Sequence, residues 1–99
     1  METFKEIING DMLVVVDYFA TWCGPCKVME PVVEELSKEL EGKARVLKVD
    51  VDKNQDTVDK FNVFAVPTII LYQNGKELWR HAGTMPKPDL LSNIERFML

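Results

Sequence analysis

The chain has 99 residues, 46% of them hydrophobic and 28% charged, which suits one domain over residues 1–99 with a single core. Its formal net charge of -4 and its scattered Lys and Arg residues exclude nucleic acid as an expected partner. The apolar run at residues 12–16 stops at Asp17, so it fits neither a signal peptide nor a membrane span. We therefore expect a cytoplasmic protein that does not bind membranes.

The first elements in chain order are a short helix and a buried strand. Thr3 and Glu6 have the spacing of a capping box, which predicts a helix beginning at Phe4. Residues 13–20 form an apolar, β-branched run interrupted only by Asp17. Such a run is typical of a strand that is covered on both faces of an α/β sheet.

A long helix, a second strand and a short helix follow. Apolar residues recur at helical spacing from residue 23 to residue 41, and Pro31 should kink this helix. Residues 45–51 alternate as a strand does, and Asn54 is the expected N-cap of the short helix. The series strand, helix, strand, helix indicates an α/β fold.

Two antiparallel strands and a terminal helix complete the pattern. Residues 68–72 and 77–82 flank Asn74-Gly75, a strong hairpin signal because both turn positions need a positive φ. The segment through Pro88 is expected to be irregular. One face of the last helix is then marked by Leu90, Leu91, Ile94, Phe97 and Met98.

Cys23 and Cys26 are the residues most able to carry chemistry. Their Cys-x-x-Cys motif follows the buried strand directly and opens the long helix, the placement that an oxidoreductase site requires. The helix N-terminus should lower the pKa of Cys23 from about 8.5 to about 7, which makes Cys23 the attacking thiolate, and Cys26 then resolves the mixed disulfide. Gly24 and Pro25 tighten the intervening turn.

Metal sites are the alternative interpretation of these residues. The two cysteines could be half of a zinc site, but four ligands are usual and His81 is the only further soft ligand. Asp50, Asp52 and Asn54 imitate the start of an EF-hand loop, but the glycine and the closing glutamate of that loop are absent. We therefore expect no bound metal and place His81 on the solvated surface.

The string Trp22-Cys23-Gly24-Pro25-Cys26-Lys27, preceded by Asp17-Tyr18-Phe19-Ala20 and followed by Val66-Pro67-Thr68 and Gly83, resembles the thioredoxin family. The resemblance runs from Phe4 to the C-terminus. It implies a thioredoxin-like central mixed sheet with helices on both faces and the cysteines beyond the carboxyl end of a strand. Typical members carry an additional first strand before this helix, so we expect a sheet of four strands with residues 45–51 at its edge.

The resemblance also implies roles for charged residues beside the cysteines. Asp17 matches a buried carboxylate beneath the second cysteine, where a raised pKa would let it accept the Cys26 proton. A buried ion pair between Asp17 and Lys48 on the neighbouring strand is the alternative. The candidate catalytic residues are therefore Cys23, Cys26, Asp17 and Lys48.

A substrate-docking surface is the second implication. Pro67 matches the family's cis-proline, and Val66 before it would offer backbone hydrogen bonds to an extended substrate segment. The remaining candidate substrate-binding residues are Trp22, Gly24, Pro25, Ala82 and Gly83. Phe19 stands where a second tryptophan is usual, and Trp79 has no predicted role.

The activity that the resemblance implies is protein-disulfide reduction, an electron-transport function in cell redox homeostasis. A separate thioredoxin-reductase-like enzyme would restore the dithiol with electrons from NADPH, so we expect a monomer without a bound cofactor. Gly24-Pro25 favours a reductase over an oxidant or disulfide isomerase. A redox-idle module that binds partner proteins with the same surface is the alternative from another class.

Overall fold

Four strands and four helices make up residues 1–98, the part of the chain that the computed structural model describes. Their order is α1 (Phe4–Ile8), β1 (Leu13–Phe19), α2 (Gly24–Glu39), β2 (Ala44–Asp50), α3 (Gln55–Lys60), β3 (Thr68–Gln73), β4 (Lys76–Ala82) and α4 (Lys87–Glu95). The strands form one sheet in the order β2, β1, β3, β4. β1 pairs parallel with β2 and antiparallel with β3, and β3 pairs antiparallel with β4. The predicted four-stranded mixed sheet, with β2 at an edge, is confirmed.

Two local sequence signals fold as predicted. The Thr3 hydroxyl accepts a hydrogen bond from the Glu6 amide at 3.1 Å, and the Glu6 carboxylate accepts one from the Thr3 amide at 3.4 Å, so the capping box starts α1. Asn74 and Gly75 have φ values of 54° and 77°, as the tight hairpin between β3 and β4 requires.

Three helix details differ from the prediction or go beyond it. Asn54 is the N-cap of α3, but its side chain donates to the Asp50 carbonyl at 2.9 Å instead of capping the helix. α4 begins at Lys87 and includes Pro88, because a proline in the first turn lacks only an amide proton that the helix does not use. Pro31 lies inside α2, which continues to Glu39; the kink stays a prediction.

Alternation along β1 divides the core into two sides. Leu13 and Val15 pack with buried residues of α2 and α4, whereas Val14, Val16 and Tyr18 pack with the apolar residues of α1 and α3. Alternation therefore puts Asp17 on the α2 side of the sheet. No helix within residues 1–98 is both long and apolar enough to cross a membrane.

A hydrogen-bonded tyrosine pair lies on the other side of the sheet. The hydroxyl oxygens of Tyr18 and Tyr72 are 2.8 Å apart, and both residues are fully buried. The Tyr72 ring is also in edge contact with Phe4 and Phe61. Each hydroxyl thus has the partner that a buried polar group needs.

Candidate active site

The two cysteines form a disulfide at the start of α2, with their Cα atoms 5.3 Å apart. Cys23 is the N-cap of the helix, and its Sγ accepts a hydrogen bond from the Cys26 amide at 3.2 Å. Gly24 and Pro25 form the exposed first residues of the helix. Since the unpaired amides and the positive end of the helix dipole favour an anion at the N-cap, this geometry favours a thiolate on Cys23 once the disulfide is reduced.

The loop before β3 lies against the first cysteine. The peptide bond between Val66 and Pro67 is cis, as the family resemblance implied. The Val66 carbonyl oxygen is 3.7 Å from Cys23 Sγ, and the Thr68 hydroxyl donates to the Ala65 carbonyl at 2.7 Å. The substrate-binding residue predicted before the proline is therefore next to the sulfur.

The end of β4 is tied to the same loop. Ala82 is opposite Thr68 in the β3–β4 register, and the Gly83 amide donates to the Pro67 carbonyl at 2.8 Å. Gly83 has a φ of 100°, a backbone conformation that favours glycine. The structure thus brings both predicted residues, Ala82 and Gly83, to the cis-proline loop.

Trp22 has a hydrogen-bond partner in the loop after β2. The indole Nε1 donates a hydrogen bond to Asp52 Oδ2 at 2.8 Å, although 71% of Trp22 is exposed. Trp22 follows β1 and Asp52 follows β2, and the carboxyl ends of parallel strands meet at the same edge of a sheet. That topological signal was present in the sequence and could have placed Asp52 beside the active site.

A groove of about 400 Å³ adjoins the redox site. Its walls include Trp22, Val58, Val66 and Phe64, and Phe64 is 90% exposed. Exposed apolar residues that line one groove are typical of interaction sites. Sequence reasoning missed Phe64, which lies two residues before Val66 and could have been found from that spacing.

Asp17 is buried, and its carboxyl group is not fully hydrogen-bonded. It is 1% exposed, and its Oδ1 has no hydrogen-bond partner within residues 1–98. Burial raises its pKa from 3.8 to about 6; the charge of Lys48 opposes this rise and that of Glu30 adds to it. Asp17 therefore changes its protonation state close to neutral pH, as a proton acceptor at this site must.

The alternative ion pair between Asp17 and Lys48 is wrong. The two residues are opposite each other in the β1–β2 register, but the ammonium of Lys48 lies 3.9 Å from Glu30 Oε1. It also lies 4.7 Å from the centre of the Phe19 ring. Since Lys48 is on an edge strand, its long side chain can extend to these partly hydrated groups.

The residues that the sequence suggested as alternative metal ligands, His81, Asp50 and Asp52, make ordinary structural contacts. His81 lies on the edge strand β4 and is partly exposed, as expected of a surface residue; its ring is stacked on Trp79 with centroids 6.1 Å apart, and Nε2 is 3.2 Å from the Thr84 carbonyl oxygen. The Asp52 amide donates to Asp50 Oδ1 at 2.9 Å in an ordinary turn. Among the described residues, no three His, Cys, Asp or Glu side chains are grouped to hold a metal ion.

The chain is similar to proteins of one known family over most of its length. The family model described as Thioredoxin matches residues 1–96. A thioredoxin of Rickettsia conorii is 41% identical over 92 residues, which cover 93% of this chain and 88% of that protein. A thioredoxin of Staphylococcus saprophyticus is 45% identical over 84 residues, or 85% of this chain and 81% of that protein.

Solved structures show the same likeness. The crystal structure of a Malassezia sympodialis thioredoxin has a TM-score of 0.89 at 34% identity and covers 97% of this chain and 84% of its own. The X-ray structure of a Fasciola hepatica thioredoxin has a TM-score of 0.81 at 42% identity, over 89% of this chain and 83% of its own. The sequence match and the fold match therefore span nearly the whole chain.

Proposed function

This chain belongs to the thioredoxin family and is a thiol-disulfide oxidoreductase with a Cys23-Cys26 pair, and from that premise we propose how its residues divide the reaction. Cys23 is the nucleophile, Cys26 resolves the intermediate, and Asp17 accepts the Cys26 proton. The observation that carries this division is the N-cap position of Cys23, which only one of the two sulfurs occupies.

The reaction proceeds by two exchanges of sulfur partners. The Cys23 thiolate attacks one sulfur of a partner's disulfide, a mixed disulfide forms, and the partner's other sulfur leaves as a thiolate. The Cys26 thiol then gives its proton to Asp17 and attacks Cys23 Sγ. The Cys23-Cys26 disulfide forms, the second partner sulfur leaves, and two electrons have passed to the partner.

The helix N-terminus assists the first of the two exchanges. In the first, the same amide that reaches Cys23 Sγ in the disulfide stabilises the attacking thiolate. In the second, Cys26 attacks Cys23 Sγ and the substrate sulfur leaves, so the amide that stabilises a Cys23 anion gives no direct assistance. Unequal surroundings for the two cysteines therefore decide which of them attacks first.

Asp17 suits proton transfer because it is buried and its pKa is raised to about 6. A carboxyl with its ordinary pKa would be a much weaker base near neutral pH. Both Asp17 and Cys26 lie in the layer between the sheet and α2, since Asp17 shares a face with Leu13 and Val15 and Cys26 is a buried residue of α2. We assign Lys48 to this group as a neighbouring charge that tunes Asp17, not as a proton carrier.

The substrate docks on the surface around Cys23. An extended segment of the partner lies along Val66 and uses backbone hydrogen bonds, while Trp22 and Gly83 border it. The exposed Phe64 extends this surface along the groove. Apolar side chains beside the partner's disulfide are the substrate feature that this surface fits.

Recycling requires an external reductant, because the disulfide product has no internal source of two electrons. A thioredoxin-reductase-like enzyme that draws on NADPH fills this role, and the chain itself needs no bound cofactor. A monomer in the cytoplasm, where thiols are kept reduced, fits this cycle.

A redox titration against glutathione tests the reductase assignment. The midpoint potential should lie near the value of about -270 mV that is typical of thioredoxin, and the protein should reduce insulin disulfides in the presence of a recycling reductase. A midpoint near -120 mV, the oxidising end of the range, would instead indicate an oxidant. Full biological function in a Cys23→Ser variant would favour the redox-idle binding module.

A further inference from the structure

Lys48 is drawn away from the buried carboxyl that it faces. Asp17 and Lys48 are partners in the parallel register of β1 and β2, and alternation directs both toward α2. A buried carboxylate next to an ammonium would ordinarily form an ion pair with it. Within residues 1–98 the ion pair of Lys48 is instead with Glu30 of α2, at 3.9 Å.

The contacts of Lys48 place its charge outside the core. Its ammonium lies between Glu30 Oε1 and the ring of Phe19, in a cleft of about 480 Å³ whose walls also include Glu34 and Ser37. The Lys48 and Glu30 side chains are 44% and 58% exposed. Such a hydrated pair adds little to folding stability. What matters is the position in which it holds the Lys48 ammonium.

Among the residues that the structure describes, 1–98, the charges that act on Asp17 come from two elements. β2 contributes Lys48 and α2 contributes Glu30, while β3 places the uncharged Ile69 opposite Asp17. The buried residues of α4 on this side, Leu90 and Ile94, are apolar. The balance between one ammonium and one carboxylate therefore decides how readily Asp17 takes up a proton, beyond the effect of burial.

We propose that Glu30 is a positioning residue, which by binding Lys48 withholds the ammonium from Asp17 and so keeps Asp17 able to take up a proton near neutral pH. The proposal rests on the assigned role of Asp17 as proton acceptor. Glu30 touches no reacting atom. It acts through Lys48, and also by its own charge, which disfavours the carboxylate form of Asp17.

The direct test is the carboxyl titration of Asp17 in the oxidised protein, followed by carbon NMR. Glu30→Gln should lower the titration midpoint by about 0.5 pH unit or more, because Lys48 is released toward Asp17 and a like charge is removed. Glu34→Gln is the matched control: it removes an equal charge from α2, but Glu34 pairs with Lys38 at 3.8 Å. Equal midpoints in the two variants would overturn the proposal.

The same substitution in a chain that lacks the Lys48 ammonium separates the positioning role of Glu30 from simple repulsion between Glu30 and Asp17. In Lys48→Met protein, Glu30→Gln can act only through its own charge, so its effect on the Asp17 midpoint should fall to about half or less. An undiminished effect would show that Lys48 is not the intermediary and would overturn the positioning role. The two single variants, Glu30→Gln and Lys48→Met, and their double variant should keep the fold, since the Glu30 and Lys48 side chains are both partly exposed to water.

Stopped-flow kinetics distinguish a failure of this inference from a failure of the proposed function. The rate of Cys26 attack on a preformed mixed disulfide is measured against pH. Its inflection should move with the NMR midpoint in Glu30→Gln and stay in place in Glu34→Gln. A shifted NMR midpoint with an unmoved rate profile would overturn Asp17 as the acceptor; an unmoved NMR midpoint would overturn Glu30 alone.

Discussion

Asp17 and Tyr18 are consecutive residues of β1, both buried, and they face opposite sides of the sheet. The hydroxyl of Tyr18 lies 2.8 Å from that of Tyr72, whereas Oδ1 of Asp17 has no hydrogen-bond partner in the described part of the chain. Burial raises the pKa of both tyrosines above their ordinary value of 10.0, so they stay uncharged near neutral pH. Burial raises the pKa of Asp17 to about 6, so its charge changes close to neutral pH.

This is the difference expected between a structural polar group and the proton acceptor that we propose. A buried polar pair that satisfies its own hydrogen bonds contributes to folding and specifies the packing around it. A buried acid that lacks a partner destabilises the folded chain when it ionises, and such groups are concentrated where proton transfer is needed. The α2 side of the sheet therefore holds the proposed proton acceptor, and the α1 and α3 side holds a polar pair that satisfies itself.

The largest effect is expected from Cys26→Ser on the α2 side. The variant should still form the mixed disulfide through Cys23 but cannot resolve it, so turnover is abolished and the covalent complex accumulates. Mass spectrometry detects the trapped covalent complex, and an insulin reduction assay measures the loss of turnover. Trapping through residue 26 in a Cys23→Ser variant at an equal rate would contradict the assignment of attacker and resolver.

Asp17→Asn should slow resolution of the mixed disulfide by about 100-fold, the lower end of general base catalysis. Its formation should change little, because the Cys23 thiolate needs no base. Single-turnover kinetics of each exchange provide the measurement. Equal slowing of both exchanges would reject Asp17 as the proton acceptor.

The same substitution should raise stability in a pH-dependent way. The unfolded carboxyl ionises near pH 3.8 and the folded one near pH 6, so ionisation favours the unfolded chain. Wild-type stability should fall as the pH rises through this window and then level off, with a total loss of up to about 3 kcal/mol. Urea denaturation of Asp17→Asn should show no such fall, and the two proteins should converge below about pH 4.

Tyr72→Phe tests the other side of the sheet. It leaves the buried Tyr18 hydroxyl without its partner and should lower the free energy of unfolding by about 1 to 3 kcal/mol. The double variant Tyr18→Phe with Tyr72→Phe should be less destabilised than the sum of the single variants. Reductase activity should stay within about twofold of wild type at 25 °C, and a selective loss of activity would break the contrast between the two sides.

The smallest effect is expected at the docking groove. Phe64→Ser should raise KM for protein disulfides about 5-fold, as loss of about 1 kcal/mol of apolar contact implies, and leave reduction of a small aromatic disulfide unchanged. Val28→Ser, which removes another exposed apolar side chain at 62% exposure, is the control. An equal rise in KM for both variants would contradict a specific role for Phe64.

Much of the fold could be predicted from the sequence because the sequence signals for it are local. The capping box joins residues three positions apart, the hairpin turn depends on Asn74 and Gly75 alone, and the motif of Cys23 and Cys26 lies within one helical turn. The continuous apolar run along β1 also indicated a strand with two covered faces. These features need only neighbouring residues and the backbone geometry that each residue type prefers.

The details of the site depended on residues that are distant in the chain. The sequence placed Asp17 and Lys48 on adjacent strands, but only the folded structure decided that Lys48 pairs with Glu30 and that Trp22 bonds Asp52 across 30 positions. A long charged side chain on an edge strand has several partners within reach, and the packing of α2 against the sheet selects among them. The residue types with redox chemistry were therefore determined by the sequence, and the tertiary structure decided which charges tune them.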